Sequence, residues 1–203
     1  MSTVERSESV SGGARRRRMS VEQYERLIAD GVIDADAPVE LIEGRIVGKM
    51  TKGDAHCVAS DKVQLILSAA LVGTGWYVRI EKPVAIPGRR SMPEPDASIV
   101  RGVADDYLGG SPRPDRVALI VEVADSSLRR DRRRSRLFVD GGVPECWVLN
   151  LVQRRLEVFR PGNDPVIIGA DGAADLVVAG AIIARIVVAD LLPRPDVAGD
   201  HGR

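Results

Sequence analysis

The sequence predicts a mixed α/β or α+β fold. Two observations lead to this prediction. Segments with apolar residues at helical spacing alternate along the chain with short runs rich in Val, Ile and Leu. One run, residues 117–124 (VALIVEVA), is almost continuously apolar, which predicts a strand buried on both faces of a sheet. Strands and helices in this order are typical of domains in which helices pack on a sheet.

The first half of the chain contains four predicted elements, which are a helix over residues 20–31, a hairpin over residues 39–47, a helix over residues 54–71 and a strand over residues 76–86. Ser20 and Gln23 have the spacing of a capping box, which marks the start of the first helix. The residues expected on the apolar face of the second helix are Val58, Val63, Leu65, Ile66 and Leu67. A Pro-Gly turn closes the strand.

The second half contains four predicted strands and one helix, which are strands over residues 97–100, 117–124, 146–149 and 156–159 and a helix of roughly ten residues from about residue 128. A Gly/Pro-rich loop fills residues 101–116. Residues 166–188 form either late strands or a strand and a helix, since their periodicity fits both.

A chain of 203 residues suits one domain with tails. We expect a disordered basic tail over residues 1–18, the domain over residues 19–192 and a flexible tail over residues 193–203. No segment has the length of a membrane span, and residues 1–18 contain no apolar h-region, so no signal peptide is expected. Cys57 and Cys146 are expected in apolar surroundings, without a disulfide. A cytoplasmic protein is therefore expected.

Glu122 interrupts the apolar strand over residues 117–124. A buried carboxylate is costly unless it has a cationic partner, a proton or a metal ion. Asp96 precedes another strand, in the segment Glu94-Pro95-Asp96. By itself Asp96 fits a turn, and Glu122 fits a salt bridge to an arginine. Two acids at neighbouring strand ends, taken together, predict an oxygen-ligand site that suits Mg²⁺.

The chain resembles the Uma-type restriction endonuclease family within the PD-(D/E)XK nuclease superfamily. The resemblance rests on five ordered segments between residues 19 and 160, which are VELIEG from residue 39, KMT from residue 49 with His56, EPD from residue 94, VEVADSS from residue 121 with Asp131, and GVPECWV from residue 142. It implies a restriction-endonuclease-like fold, with a mixed β-sheet core flanked by helices. It also implies cleavage of DNA phosphodiester bonds with Mg²⁺ or another divalent cation such as Mn²⁺.

The resemblance also assigns residues. Asp96 and Glu122 would hold the metal, and Glu40 would assist them, although an exposed edge-strand charge is the alternative for Glu40. His56 would orient phosphate or water, or else cap its helix. The expected partners are DNA and a second copy of the chain in a homodimer, with no membrane.

The superfamily places a lysine two residues after the second acid, where this chain has Ala124. Uma-type relatives carry the lysine on the following helix instead. The matching position is Arg134 when the segment is anchored on Phe138, and Ser135 when it is anchored on Asp131. Arginine stays charged, so it would stabilise phosphoryl charge without acting as a general base. A lysine restored at residue 134 is therefore expected to raise cleavage.

Six arginines lie between residues 129 and 136, and three of them are candidate contacts to the DNA backbone, namely Arg130, Arg133 and Arg136. The alternative is a solvated helix face, because the formal net charge of the chain is zero. Two functions follow from these patterns. The first is a Mg²⁺-dependent endonuclease, and the second is a catalytically weakened or inactive nuclease fold that binds nucleic acid. The retained acids favour the first, and the absent lysine favours the second.

Overall fold

A computed structural model describes residues 18–195. The expected basic tail lies outside this range except for Arg18, as do residues 196–203 of the expected C-terminal tail. The helices are α1 (Val21–Ala29), α2 (Asp54–Ala70), α3 (Leu128–Asp140) and α4 (Val188–Leu191). The strands are β1 (Val39–Ile42), β2 (Arg45–Gly48), β3 (Trp76–Ile80), β4 (Ala97–Arg101), β5 (Val117–Ala124), β6 (Cys146–Asn150), β7 (Arg155–Phe159), β8 (Val166–Gly169), β9 (Ala173–Val178) and β10 (Ala181–Val187).

Six strands form a mixed sheet in the order β3-β4-β5-β6-β7-β8. All neighbouring pairs are antiparallel except β5 and β6, which are parallel and are joined by α3. Two antiparallel hairpins, β1-β2 and β9-β10, stand apart from this sheet. The mixed sheet with flanking helices is the fold class that the sequence predicts.

Strand β5 lies in the middle of the sheet, and all eight of its residues are buried. Side chains alternate between the two faces of a strand. Leu119, Val121 and Val123 therefore pack with α2, α4 and the β9-β10 hairpin in one core, while Ile120 packs with α3 in the other. Glu122 has the same parity as Ile120, and its carboxylate accordingly reaches α3.

Helix α1 begins as the sequence predicts. The Ser20 side chain accepts a hydrogen bond from the Gln23 backbone N–H, and the Gln23 side chain accepts one from the Ser20 backbone N–H. This capping box satisfies two of the N–H groups that the first turn leaves without helical partners. The buried Val21 and Tyr24 then pack with β1 residue Leu41 in a small separate core.

The structure corrects two expectations about secondary structure and packing. The strand predicted over residues 76–86 ends at Ile80, because Glu81 adopts a positive φ of 51° and Pro83 lacks a backbone N–H. In α2, Val58 and Leu65 are 46% and 71% exposed instead of forming the packed face. Both side chains point away from the sheet, because they lie on the side of α2 opposite its buried face.

The structure decides two other expectations. Cys146 is buried as expected, but Cys57 is exposed on α2, so its expected apolar surroundings are wrong. Residues 166–191 form three strands and a short helix, where the periodicity left two possibilities open. Within residues 18–195, no helix combines the length and apolar character that crossing a bilayer requires.

Candidate active site

Asp96 and Glu122 become neighbours through the register of two strands. Strand β4 begins at Ala97, which pairs with Val121 of the antiparallel strand β5. One step outward along the same register places Asp96 beside Glu122. The backbone N–H of Val123 donates a 2.7 Å hydrogen bond to Asp96 Oδ2, which ties the two strand ends together.

Three groups hold the Asp96 carboxylate. Besides the Val123 N–H, Lys52 Nζ donates to Asp96 Oδ1 at 2.6 Å, and His56 Nε2 lies 3.0 Å from the same oxygen. Burial raises the pKa of Asp96, but the hydrogen bonds and charges of His56 and Lys52 outweigh it, so the pKa lies below its ordinary value. Asp96 is therefore an ionised group with a fixed orientation.

Glu122 lies in a different electrostatic environment. Burial raises its pKa and the nearby charge of Asp96 adds to the rise, while the Arg134 guanidinium lowers it, and the pKa that results is about 8. Arg134 Nε donates to Glu122 Oε1 at 2.9 Å. One arginine thus compensates the buried carboxylate only in part, and the carboxylate would gain from a second positive charge.

Arg134 joins three parts of the chain. Its Nε donates to Glu122, its Nη1 donates to Glu40 Oε1, and its Nη2 donates to the Glu94 carbonyl oxygen at 3.0 Å. Glu40 in turn accepts a 3.1 Å hydrogen bond from the Glu94 backbone N–H. Burial lowers the pKa of Arg134, but Glu122 and Glu40 raise it by more, so the side chain stays a guanidinium. Arg134 therefore fixes the relative positions of Glu40 and Glu122.

Asp131 is a further buried acid at this site, at the first turn of α3. Its carboxylate accepts a hydrogen bond from the Ser127 hydroxyl, and Arg130 Nε lies 3.6 Å from it. Burial raises the pKa of Asp131, and the charge of Asp96 adds to the rise, while Ser127, Arg130 and Arg134 lower it. The N-cap residue Ser127 thus contacts Asp131 with its side chain instead of capping α3.

These groups line one open cavity of about 350 Å³. Seven carboxylates face it, and four cationic side chains face it with them, namely Lys49, Lys52, Arg130 and Arg134. The excess of acids gives the cavity a negative potential, which attracts small cations.

The donor set fits Mg²⁺ or Mn²⁺. Mg²⁺ in proteins is usually held by one or two carboxylates and keeps several water or phosphate oxygens. Asp96 and Glu122 supply two such carboxylates beside an open cavity. Among residues 18–195, no three His, Cys, Asp or Glu side chains converge as metal ligands. A cation here would therefore take its remaining ligands from water and substrate.

The arginines expected to contact DNA have protein partners instead. Arg133 contacts the Glu43 carboxylate at 2.8 Å, and Arg136 donates to the Asn163 carbonyl oxygen and lies over the Phe159 ring. Arg130 lines the cavity beside Asp131. Each keeps an exposed portion, so DNA contact by these arginines stays a prediction.

Lys52 is the site residue that the sequence does not reveal. It lies in the loop before α2, outside any strand or helix, and is 44 residues from Asp96 in sequence. Its only local signal is the position between the Lys49-Met50-Thr51 segment and His56. Burial lowers the pKa of Lys52, but Asp96 and Glu81 raise it by more, so the side chain stays an ammonium.

A family model described as Uma2, "Putative restriction endonuclease", matches residues 21–172. The chain belongs to this family. Among solved structures, a "putative nuclease belonging to DUF820" from Anabaena variabilis aligns with a TM-score of 0.67. It is 14% identical, and the alignment covers 85% of this chain and 97% of that one. No curated protein matches.

The structural likeness establishes the shared fold. Membership of the Uma2 family supports a nuclease, since the description of the family is "Putative restriction endonuclease". The family resemblance placed the motif lysine at residue 134 or 135. Arg134 contacts Glu40 and Glu122. Ser135 is buried, and its hydroxyl donates a hydrogen bond to the Asp131 carbonyl oxygen and accepts one from Cys146 Sγ.

Proposed function

We propose that this Uma2 family member is a metal-dependent endonuclease that hydrolyses DNA phosphodiester bonds. In the proposal, Asp96 and Glu122 hold Mg²⁺ or Mn²⁺, and Glu40 and Arg134 support Glu122. The supporting geometry is the pair of buried acids at neighbouring ends of β4 and β5, open to one cavity.

One observation carries the proposal, which is that Glu122 lacks the positive charge it would need to stay ionised near neutral pH. Glu122 shares Arg134 with Glu40, and burial still raises the Glu122 pKa to about 8. A cavity lined by seven carboxylates and four cationic side chains would repel phosphate, which does not suit a fold that merely binds nucleic acid. A divalent cation held by Asp96 and Glu122 would offset this repulsion, since its charge would attract phosphate.

Each residue then has a definite task. Asp96 is oriented by His56, Lys52 and the Val123 N–H, which hold its two oxygens in place. Arg134 keeps Glu122 turned toward the cavity by its Nε hydrogen bond. When bound, the metal ion supplies the Lewis-acid charge that offsets the developing charge on the phosphate.

The pairing of α3 arginines argues against a binding module that reads DNA through this helix. Arg132 makes two 2.6 Å contacts to the buried Glu157, and Arg134 is buried against Glu40 and Glu122. Of the dense basic run, much of the charge is therefore neutralised within the protein. Salt-sensitive DNA binding without cleavage would nevertheless support the binding module and contradict the proposal.

The test is cleavage of supercoiled plasmid DNA in Mg²⁺, in Mn²⁺ and in EDTA. We expect nicking or linearisation with either metal and none in EDTA. Asp96→Asn and Glu122→Gln should abolish it. Asp140→Asn is the matched control, because Asp140 is an exposed acid on α3 that pairs with Arg89 away from the cavity. Cleavage that persists in Asp96→Asn or Glu122→Gln would refute the assigned site, and DNA left intact under all conditions would refute the nuclease.

A further inference from the structure

Two cationic side chains touch the acid pair, and they differ in how deeply they and their ion-pair partners are buried. Each of the three Arg134 nitrogens donates to a protein acceptor, and the side chain is 11% exposed. Three of its five N–H donors, one on each nitrogen, are used in these contacts with Glu40, Glu122 and the Glu94 carbonyl oxygen. A substrate phosphate that recruited Arg134 would have to break a buried ion pair, which is costly.

Lys52 is the more exposed of the two cations. Its ammonium donates to Asp96 Oδ1 at 2.6 Å and to Glu81 Oε1 at 2.9 Å, and the side chain is 31% exposed. An ammonium has three N–H donors, and the third has no acceptor among the residues that the structure describes. Glu81 is itself 55% exposed, so this ion pair can be exchanged at little cost.

The position of Lys52 is also suitable for contact with a phosphate. Lys52 lines the cavity that Asp96 and Glu122 share, and it lies on a loop bounded by Gly53, where the chain enters α2. A phosphate next to a cation held at Asp96 would therefore lie close to the Lys52 ammonium, which already contacts Asp96. Lys49, the other lysine of the loop, contacts Glu94 at 2.6 Å and not Asp96.

We propose that Lys52 is the residue that contacts the substrate phosphate in this chain, while Arg134 positions Glu40 and Glu122. In this arrangement the Lys52 ammonium keeps its hydrogen bond to Asp96 and exchanges Glu81 for a non-bridging phosphate oxygen. The positive charge that the family carries on α3 is thus divided between two residues. The inference rests on the proposed function for its substrate class, a phosphodiester.

The test compares Lys52→Met with Lys49→Met. Both substitutions remove one lysine from the same loop and the same cavity wall, so they change the net charge equally. Binding of a short fluorescent DNA duplex is measured by anisotropy in Ca²⁺ and in EDTA over a salt series. Plasmid cleavage in Mg²⁺ is measured on the same preparations, and thermal melts verify folding.

We expect Lys52→Met to weaken Ca²⁺-supported binding about tenfold, as for the loss of one charge-assisted hydrogen bond. It should also lower the slope of log affinity against log salt by about 1. Lys49→Met should change the affinity by less than about threefold, as expected for a surface ion pair. Lys52→Arg should keep the salt slope, because it keeps the charge. Lys52→Met should cut plasmid DNA at least about tenfold more slowly than Lys49→Met.

The outcomes separate the two proposals. Equal effects of Lys52→Met and Lys49→Met, in binding and in cleavage, would overturn the role of Lys52 while leaving the nuclease intact. Binding that depends on Lys52 without any Mg²⁺- or Mn²⁺-dependent cleavage would support Lys52 as a phosphate contact and overturn the nuclease. A wild-type protein that neither binds nor cuts DNA would overturn both.

Discussion

The substitution Glu122→Gln tests the electrostatics on which the site depends. Glutamine has nearly the shape of glutamate and can still accept the hydrogen bond from Arg134 Nε through its side-chain oxygen. The substitution therefore removes the charge and keeps the contact. Two physical effects oppose each other here. Burial penalises the charged carboxylate, whereas the ion pair with Arg134 rewards it.

The expected difference in unfolding free energy follows from the pKa of Glu122. In the folded protein the Glu122 pKa is raised from 4.5 to about 8. A group with a raised folded pKa contributes most to stability below its unfolded pKa and loses that contribution as pH rises through the folded value. Each unit is worth about 1.4 kcal/mol, so the wild type should lose on the order of 5 kcal/mol relative to Glu122→Gln between about pH 4.5 and about pH 8.

The measurement is chemical denaturation in EDTA from about pH 5 to about pH 9, which spans most of this window. We expect the two proteins to have similar unfolding free energies at the acid end and the variant to be the more stable at the alkaline end. EDTA is required because a bound cation would itself stabilise the ionised carboxylate.

Glu157→Gln is the control with the opposite sign. Glu157 is also buried and also pairs with an α3 arginine. Burial raises its pKa, but hydrogen bonds from Arg132, Arg155 and Asn150 outweigh it and lower the pKa to about 2. Its stabilising effect is present above about pH 4.5 and is lost as pH falls toward about 2. The variant should therefore be less stable than the wild type throughout the measured range.

A Glu122→Gln protein that is the less stable partner at the alkaline end would refute this reasoning. Removing one member of a buried ion pair typically costs about 3–5 kcal/mol. Such a loss would mean that the attraction to Arg134 exceeds the cost of burial. Glu122 would then be a structural ion-pair partner with no need of a further cation.

Three other predictions follow from the same geometry. Mg²⁺ at about 100 times its dissociation constant should raise the unfolding free energy by about 2.7 kcal/mol; a thermal-shift titration measures this, and Asp96→Asn should remove it. Arg134→Lys should lower plasmid cleavage and not raise it, because one ammonium cannot hold Glu40, Glu122 and the Glu94 carbonyl together; faster cleavage would restore the expectation from the sequence. Phe138→Ala should destabilise the fold by about 3–5 kcal/mol in urea unfolding, since Phe138 is fully buried between α3 and the sheet, and a loss below about 1 kcal/mol would contradict that packing.

The sequence by itself determined those features that depend on neighbouring residues. The capping box at Ser20 is written in two residues three apart, and the structure confirms it. Eight consecutive residues indicated the buried strand β5, and one acid among them marked Glu122 as unusual. The ordered motifs carried the family and hence the mixed sheet, which the comparisons confirm. Local patterns suffice here because capping and strand burial are decided over a few residues.

The tertiary structure alone decided which charges meet. Lys52 and Asp96 are 44 residues apart, and Arg134 and Glu40 are 94 apart, so no local pattern connects either pair. The same holds for α2, where composition could not tell that Val58 and Leu65 would face outward. Ion pairs and packing depend on where the register of β4 and β5 and the placement of α2 and α3 bring side chains together. The whole fold sets the distances between these side chains, because the placement of each strand and helix depends on many contacts between residues distant in sequence.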